Sequence, residues 1–310
     1  MAQPRAVADW AAHHVLALPE GASLELLLIL AQMRFNAPRI GADGLKLSRH
    51  SRIFGPVTDA AVRKSLKIPA ETPVLFSLQT PRERGEPPFM GLPERTGIAR
   101  ACPAGLPIRD EGRVLNWAVA VARRLSGTLR IAPSDTILRP DIESSVDLTI
   151  LSPVWLDPAA AHKVVSATLP HVQFHQRAPE QADIAPVTEF TENAAPNAPA
   201  PAQNPEISDQ YGLGSDLESD GRIDVLIGPA EDIPPALQPV WKGQTPISYQ
   251  VQWTPLEIEE LELEDPPVTT KIARRRAFDL VARTVYGLFE AIGGQIMDDD
   301  RFLVDPRELA

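Results

Sequence analysis

Few residues in this 310-residue chain have the types and spacing that chemistry needs. His171-Val-Gln-Phe-His175 sets two imidazoles four positions apart. On a helix both would reach one metal ion, but on a strand they lie ~13 Å apart. Pro170 and the Val172/Phe174 alternation predict a strand, so these read as two histidines facing solvent on a sheet edge. Asp298-Asp299-Asp300 offers the carboxylates that hard cations favour. It lacks the alternating Asp spacing and following Gly of a calcium loop, and it reads as a polar hairpin turn. Tyr211-Gly-Leu-Gly-Ser215 is too short for a dinucleotide fingerprint and has no strand-to-helix context. Cys102 is the only cysteine. It excludes a disulfide framework and a Cys-rich metal site, and no activating neighbour is visible. No serine stands in a recognised motif with a histidine and an acid. The expectation is a non-enzyme with no catalytic residue, no metal ligand and no cofactor.

Cations cluster at Arg34, Arg39, Lys46, Arg49 and Arg52, and again over Arg63–Lys67, with only Phe35 and Phe54 as nearby aromatics. The chain carries a net charge of −11 and shows no nucleic-acid-binding module, so no nucleic acid is expected as partner. The charge is uneven. Residues 1–140 hold 19 Lys/Arg against 12 Asp/Glu, a balance of +7, and the remaining 11 and 29 give −18. Such a split permits the halves to attract each other, or the basic half to meet an acidic partner. The simpler expectation is charge spread over solvated faces.

The elements that would position these residues follow a repeated order. His14–Leu18 reads as a strand, followed through a Pro-containing turn by a helix over Leu24–Met33. Asp147–Leu151 and Ala159–Thr168 repeat that pair. Further strands are expected at Pro73–Leu78, Arg222–Ile227 and Ile247–Trp253. A helical stripe covers Asp110–Leu125, and another runs from Lys271 to Ile292. Ser126-Gly127 and Gly293-Gly294 stop these two helices. Each is followed by a strand, a polar turn and a second strand, ending at Pro140-Asp141 and at Asp305-Pro306. The acidic run Glu257–Asp265 is expected to hold Arg274, Arg275 and Arg276.

The sum is an α+β chain of two tandem split β-α-β domains, residues 1–143 and 144–310, each an antiparallel sheet with two helices on one face. The Pro/Ala-rich stretch at about 177–210 reads as a disordered loop inside the second domain. No apolar run approaches the ~20 residues that a membrane span requires, and no signal peptide is visible, so a cytoplasmic location is expected.

The ending Gly293-Gly-Gln-Ile-Met-Asp-Asp-Asp-Arg-Phe-Leu-Val-Asp-Pro-Arg-Glu-Leu309 resembles the end of the C-terminal domain of the cell-division protein ZipA. Leu24-Glu-Leu-Leu-Leu28 and Val74-Leu-Phe-Ser-Leu78 resemble it more loosely. The resemblance implies a split β-α-β fold. It also implies a shallow apolar groove on a sheet face that takes the C-terminal peptide of the tubulin-like protein FtsZ. The chain departs from that family in showing two such domains and no N-terminal membrane anchor. The function expected is thus a non-enzymatic protein-interaction module whose partner is a protein or peptide, FtsZ-like by this resemblance. Phe76, Leu78, Val251 and Trp253 are the candidate contact residues. The alternative is a regulatory protein that senses a small ligand between its two modules. The sequence leaves the oligomeric state open.

Overall fold

A computed structural model describes residues 10–89, 94–175 and 210–310. The predicted loop at about 177–210 thus falls almost wholly outside the described residues. The first half runs β1 (His14–Leu18), α1 (Leu24–Gln32), β2 (Arg39–Gly41), β3 (Gly44–Lys46), β4 (Arg52–Val57), α2 (Ala60–Ser65), β5 (Val74–Gln79), α3 (Ile98–Ala101), α4 (Arg109–Arg124), β6 (Thr128–Ile131) and β7 (Thr136–Leu138). The second runs β8 (Leu148–Ser152), α5 (Pro158–Val165), β9 (Gln173–His175), β10 (Tyr211–Asp216), β11 (Arg222–Pro229), α6 (Gln238–Trp241), β12 (Ile247–Thr254), α7 (Val268–Ile292), β13 (Gln295–Asp298) and β14 (Leu303–Val304). Local chemistry sets the helix ends. Ser23 caps α1 by accepting the Leu26 N–H at 3.3 Å, and Asp157 caps α5 with Pro158 in the first turn.

The chain is α+β, with two antiparallel sheets of seven strands each. The first has the order β2-β3-β4-β5-β1-β6-β7, and the second, read from its far edge, β9-β10-β11-β12-β8-β13-β14. Strand for strand the two orders coincide. The registers coincide as well: Leu16 lies between Phe76 and Leu129, and Ile150 lies between Tyr249 and Ile296. Gly127 and Gly294 sit at the same point of the two copies. A Cβ on Gly127 would meet the Ala17 carbonyl oxygen at 2.8 Å, and one on Gly294 would collide with the Leu151 carbonyl. Gly294 also has φ +120°, which L side chains rarely adopt. Beyond the expected pair, each copy carries a short helix between its fourth and fifth strands, α2 and α6, and the first copy adds α3.

Helices α1 and α4 cover the face of the first sheet that carries Leu16, Leu18, Phe76 and Leu78. Val15, Ala17 and Leu75 point the other way and pack under Trp10 and under Val62 and Leu66 of α2. That burial on both faces explains why β1 reads as an unbroken apolar run. In the second sheet Leu148, Ile150, Tyr249, Val251 and Trp253 lie beneath α5 and α7. Its opposite face sends Leu151 and Met297 into the core of the first half, together with Leu237, Trp241 and Phe302. Helix α4 therefore has no solvent side along its middle: every residue from Trp117 to Arg123 is buried.

The turn between β13 and β14 locks the halves together. Arg123, only 4% exposed, pairs with Asp300 at 2.5 Å. Arg34 also reaches Asp300, donating through Nε to its carbonyl oxygen at 2.9 Å. Arg124 pairs with Asp298 and Arg95 with Asp299, each at 2.9 Å. Phe302 is fully buried, with the Arg34 guanidinium 5.8 Å from its ring centroid. The charge split is thus partly spent at the junction of the halves, and solvated faces do not account for all of it. A second correction concerns the start of α7. Arg274, Arg275 and Arg276 pair with Asp141, Glu143 and Asp220, not with the acidic run before them.

Candidate functional site at the junction of the halves

The four residues proposed from sequence as partner contacts are core residues. Phe76 is 0% and Leu78 1% exposed beneath α1 and α4; Val251 is 0% and Trp253 3% exposed beneath α7. Trp253 donates its indole N–H to the Asp220 carbonyl at 2.7 Å. The structure brings the first pair and the second pair into separate cores, and none of the four offers surface to a partner. All four lie on the helix-covered face of their sheet, and a short apolar segment does not show which of its two faces the helices take. Of the two histidines, His175 lies on β9 as predicted, whereas His171 precedes the strand with φ +48°. Among the described residues no group of three or more His, Cys, Asp or Glu side chains is arranged to hold a metal ion. No described helix is long and apolar enough to cross a membrane.

Two constellations of ionisable groups stand out. The first is sealed inside the first half. Glu111, fully buried, accepts from His14 at 3.0 Å, from Arg84 at 2.9 Å and from the Glu83 N–H at 2.8 Å. The Ala132 N–H donates to His14 Nδ1 at 3.2 Å, which leaves the imidazole proton on Nε2, aimed at Glu111. Burial pushes the His14 pKa down and keeps the ring neutral. Burial alone would raise Glu111, but the hydrogen bonds from His14 and Glu83 and the Arg84 charge hold it below the usual carboxylate range. Glu83 in turn accepts the Asp110 N–H at 3.2 Å, so the loop around residue 83 and the start of α4 cap each other. His14 and Glu111 are both buried, and their bonds clamp β1, the loop around residue 83 and α4 together.

The second lines a cavity of about 80 Å³, room for a group of a few heavy atoms. Arg95 comes from the first half, Asp141 from the connection between halves, Asp147 from the residue before β8, and Asp299 from the β13–β14 turn. Arg274 and Glu260 close it from the start of α7 and the segment before it. Most of these charges are spoken for. Asp141 holds Arg274, Asp299 holds Arg95, and Glu260 accepts from Thr270. Asp147 has only the Trp253 N–H, at 2.9 Å, among its described partners. Burial, and then the Asp299 charge, push its pKa up to about 7. Arg95 and Arg274 line the cavity, but Asp147 forms no ion pair among the described residues and carboxylates outnumber cations in the lining. The cavity thus has the chemistry of a receptor for a small positive group. The raised pKa depends on burial and on the charge of Asp299, more than 100 positions away, while the Trp253 N–H works against it, so no local pattern announces it.

Comparison with known proteins returned no matching family model, no matching curated protein and no matching solved structure.

Proposed function

We propose that this chain is a non-enzymatic protein-interaction module made of two tandem split β-α-β domains, residues 1–143 and 144–310, with ferredoxin-like sheets, acting in bacterial cell division as the ZipA resemblance implies. The observation that carries the reading is the difference between the two sheet faces that lie opposite the long helices. In the second sheet that face is engaged by the first half through Leu151 and Met297. In the first sheet α2 covers the centre, while Arg39 and Arg52 on the β2–β4 flank remain exposed. The docking surface is therefore the outer flank of the first sheet, and not a groove lined by Phe76, Leu78, Val251 and Trp253. The test is fluorescence anisotropy with a labelled C-terminal peptide of a tubulin-like division protein. Saturable binding in the micromolar range is expected, and no binding up to ~1 mM sinks the proposal.

The junction cavity favours a second reading, a regulatory protein with a small cationic ligand between its modules. Pairing with Asp147 would drive off its proton. Titration calorimetry with a primary amine near pH 7, in two buffers of different ionisation enthalpy, should then show proton release that Asp147→Asn abolishes. Equal heats in both buffers would end this reading.

A further inference from the structure

The strand registers of the first sheet place like charges directly opposite one another. Arg39 on β2 faces Lys46 on β3, and Lys46 faces Arg52 on β4. The row continues to Gln79 on β5. Directly paired residues share a face. The neighbouring row, Ile40–Leu45–Ile53–Leu78, has Leu45, Ile53 and Leu78 in the core, so the cationic row points outward. Adjacent strands lie ~4.8 Å apart, so three cations fall on a line ~10 Å long. Like charges in this arrangement repel and cost stability. Among the described residues the row has one acidic partner, Asp43, 3.6 Å from Arg52 and itself 77% exposed. Arg39 and Lys46 have none among the described residues.

The duplicated fold supplies a control. The matching row of the second sheet is Gln173–Gly214–Asp224–Gln252. There the charges are closed internally. Arg222 pairs with Asp216 at 2.7 Å and with Asp224 at 2.8 Å, and its guanidinium lies across Gly214 where a Cβ would otherwise sit. One copy pairs its cation on this surface with carboxylates of its own, while the other leaves the surface positive and open.

We infer that the row Arg39–Lys46–Arg52 docks an acidic segment of a protein partner across the β2–β4 edge of the first sheet. This inference rests on the interaction reading above and adds the chemistry of its partner. A run of carboxylates matches three in-line cations, supplying the counter-charge that the row lacks. A nucleic acid fits less well. The chain is acidic overall, and among the described residues Phe54 is the one aromatic side chain adjoining the row, so these residues offer no series of stacking platforms for bases.

The experiment is fluorescence anisotropy of the full chain with a labelled hexaglutamate peptide at two salt concentrations. Binding should weaken at least about tenfold in the triple variant Arg39→Gln/Lys46→Gln/Arg52→Gln. It should be unchanged in Lys64→Gln/Lys163→Gln/Arg283→Gln, which removes the same charge elsewhere. Added salt should weaken the parent more than the first triple variant. In parallel, Lys46→Gln alone should raise Tm by about 1 °C, because it relieves repulsion that no internal partner offsets. The inference is overturned by any of four results: no binding by the parent, equal loss in both triple variants, a fall in Tm for Lys46→Gln, or tighter binding of a duplex oligonucleotide than of the peptide. The interaction reading is tested with the division peptide and this row with hexaglutamate, so the two can fail separately.

Discussion

The two halves share a strand order but occupy different positions in the molecule. Helix α4 of the first half is buried around its whole middle, with Trp117 at 0% exposure. Its counterpart α7 covers its own sheet with one side and leaves Val268 at 71% and Ile272 at 48% exposed. Helix α4 is thus an interior layer and α7 an outer one. A repeated topology therefore does not give repeated surfaces. What each copy exposes depends on what the other copy covers, which is why residues at matching positions serve as core in one and rim in the other.

Paired substitutions can break that comparison. Trp117→Ala is expected to destabilise the chain by ~3–5 kcal/mol in urea unfolding, and Val268→Lys by less than ~0.5 kcal/mol. Similar losses for the two would mean that α4 is not interior. Next in size is the junction turn. Asp300→Ala removes the carboxylate facing the buried Arg123 and should cost ~3 kcal/mol, against under ~1 kcal/mol for Asp220→Ala, whose partner Arg276 is exposed. Gly294→Ala and Gly127→Ala form the third pair. Both introduce a collision with a strand carbonyl, and Gly294 adds backbone strain, so ~2–4 and ~1–3 kcal/mol are expected in that order.

The smallest effect depends on pH. Asp147 has its pKa raised by burial and by Asp299 to about 7, above its unfolded value. A carboxyl raised in the folded state binds its proton more tightly there than in the unfolded chain. Its contribution is therefore intact below about pH 4 and is lost as pH rises to about 7. Asp147→Asn should leave stability unchanged near pH 4 and increase it by ~1–3 kcal/mol at pH 8. A variant equally stable relative to parent at both pH values would contradict this assignment.

The parts of the fold legible in sequence are those with strong local signals. The stripes of α4 and α7, the Asp157-Pro158 start of α5 and the Gly293-Gly294 stop depend on neighbours in the chain, and each appears within a residue or three of its predicted place. Strands β2 and β3 were not legible. Each has three residues next to glycine, too few to show alternation. Helix α2, six residues long, is stabilised by packing on Leu75 and by Asp59, which caps it at 2.7 Å from the Ala61 N–H. The cation cluster at Arg34–Arg52 was visible as composition, but its division was not: Arg34 belongs to the junction, and Arg39, Lys46 and Arg52 to the outer row. The role of Asp298–Asp300 was hidden for the same reason, since its arginine partners lie 174 to 266 positions away.

The β13–β14 turn bears on how the chain is made as well as how it is held. Phe302 completes a core whose other members are largely in the first half, so during synthesis that half waits for residue 302 before its interior closes. Its folding is tied to a segment made long after the half itself. A chain stalled before residue 302 would present the apolar flank of α4 to chaperones and proteases, and the two halves should unfold in a single cooperative step.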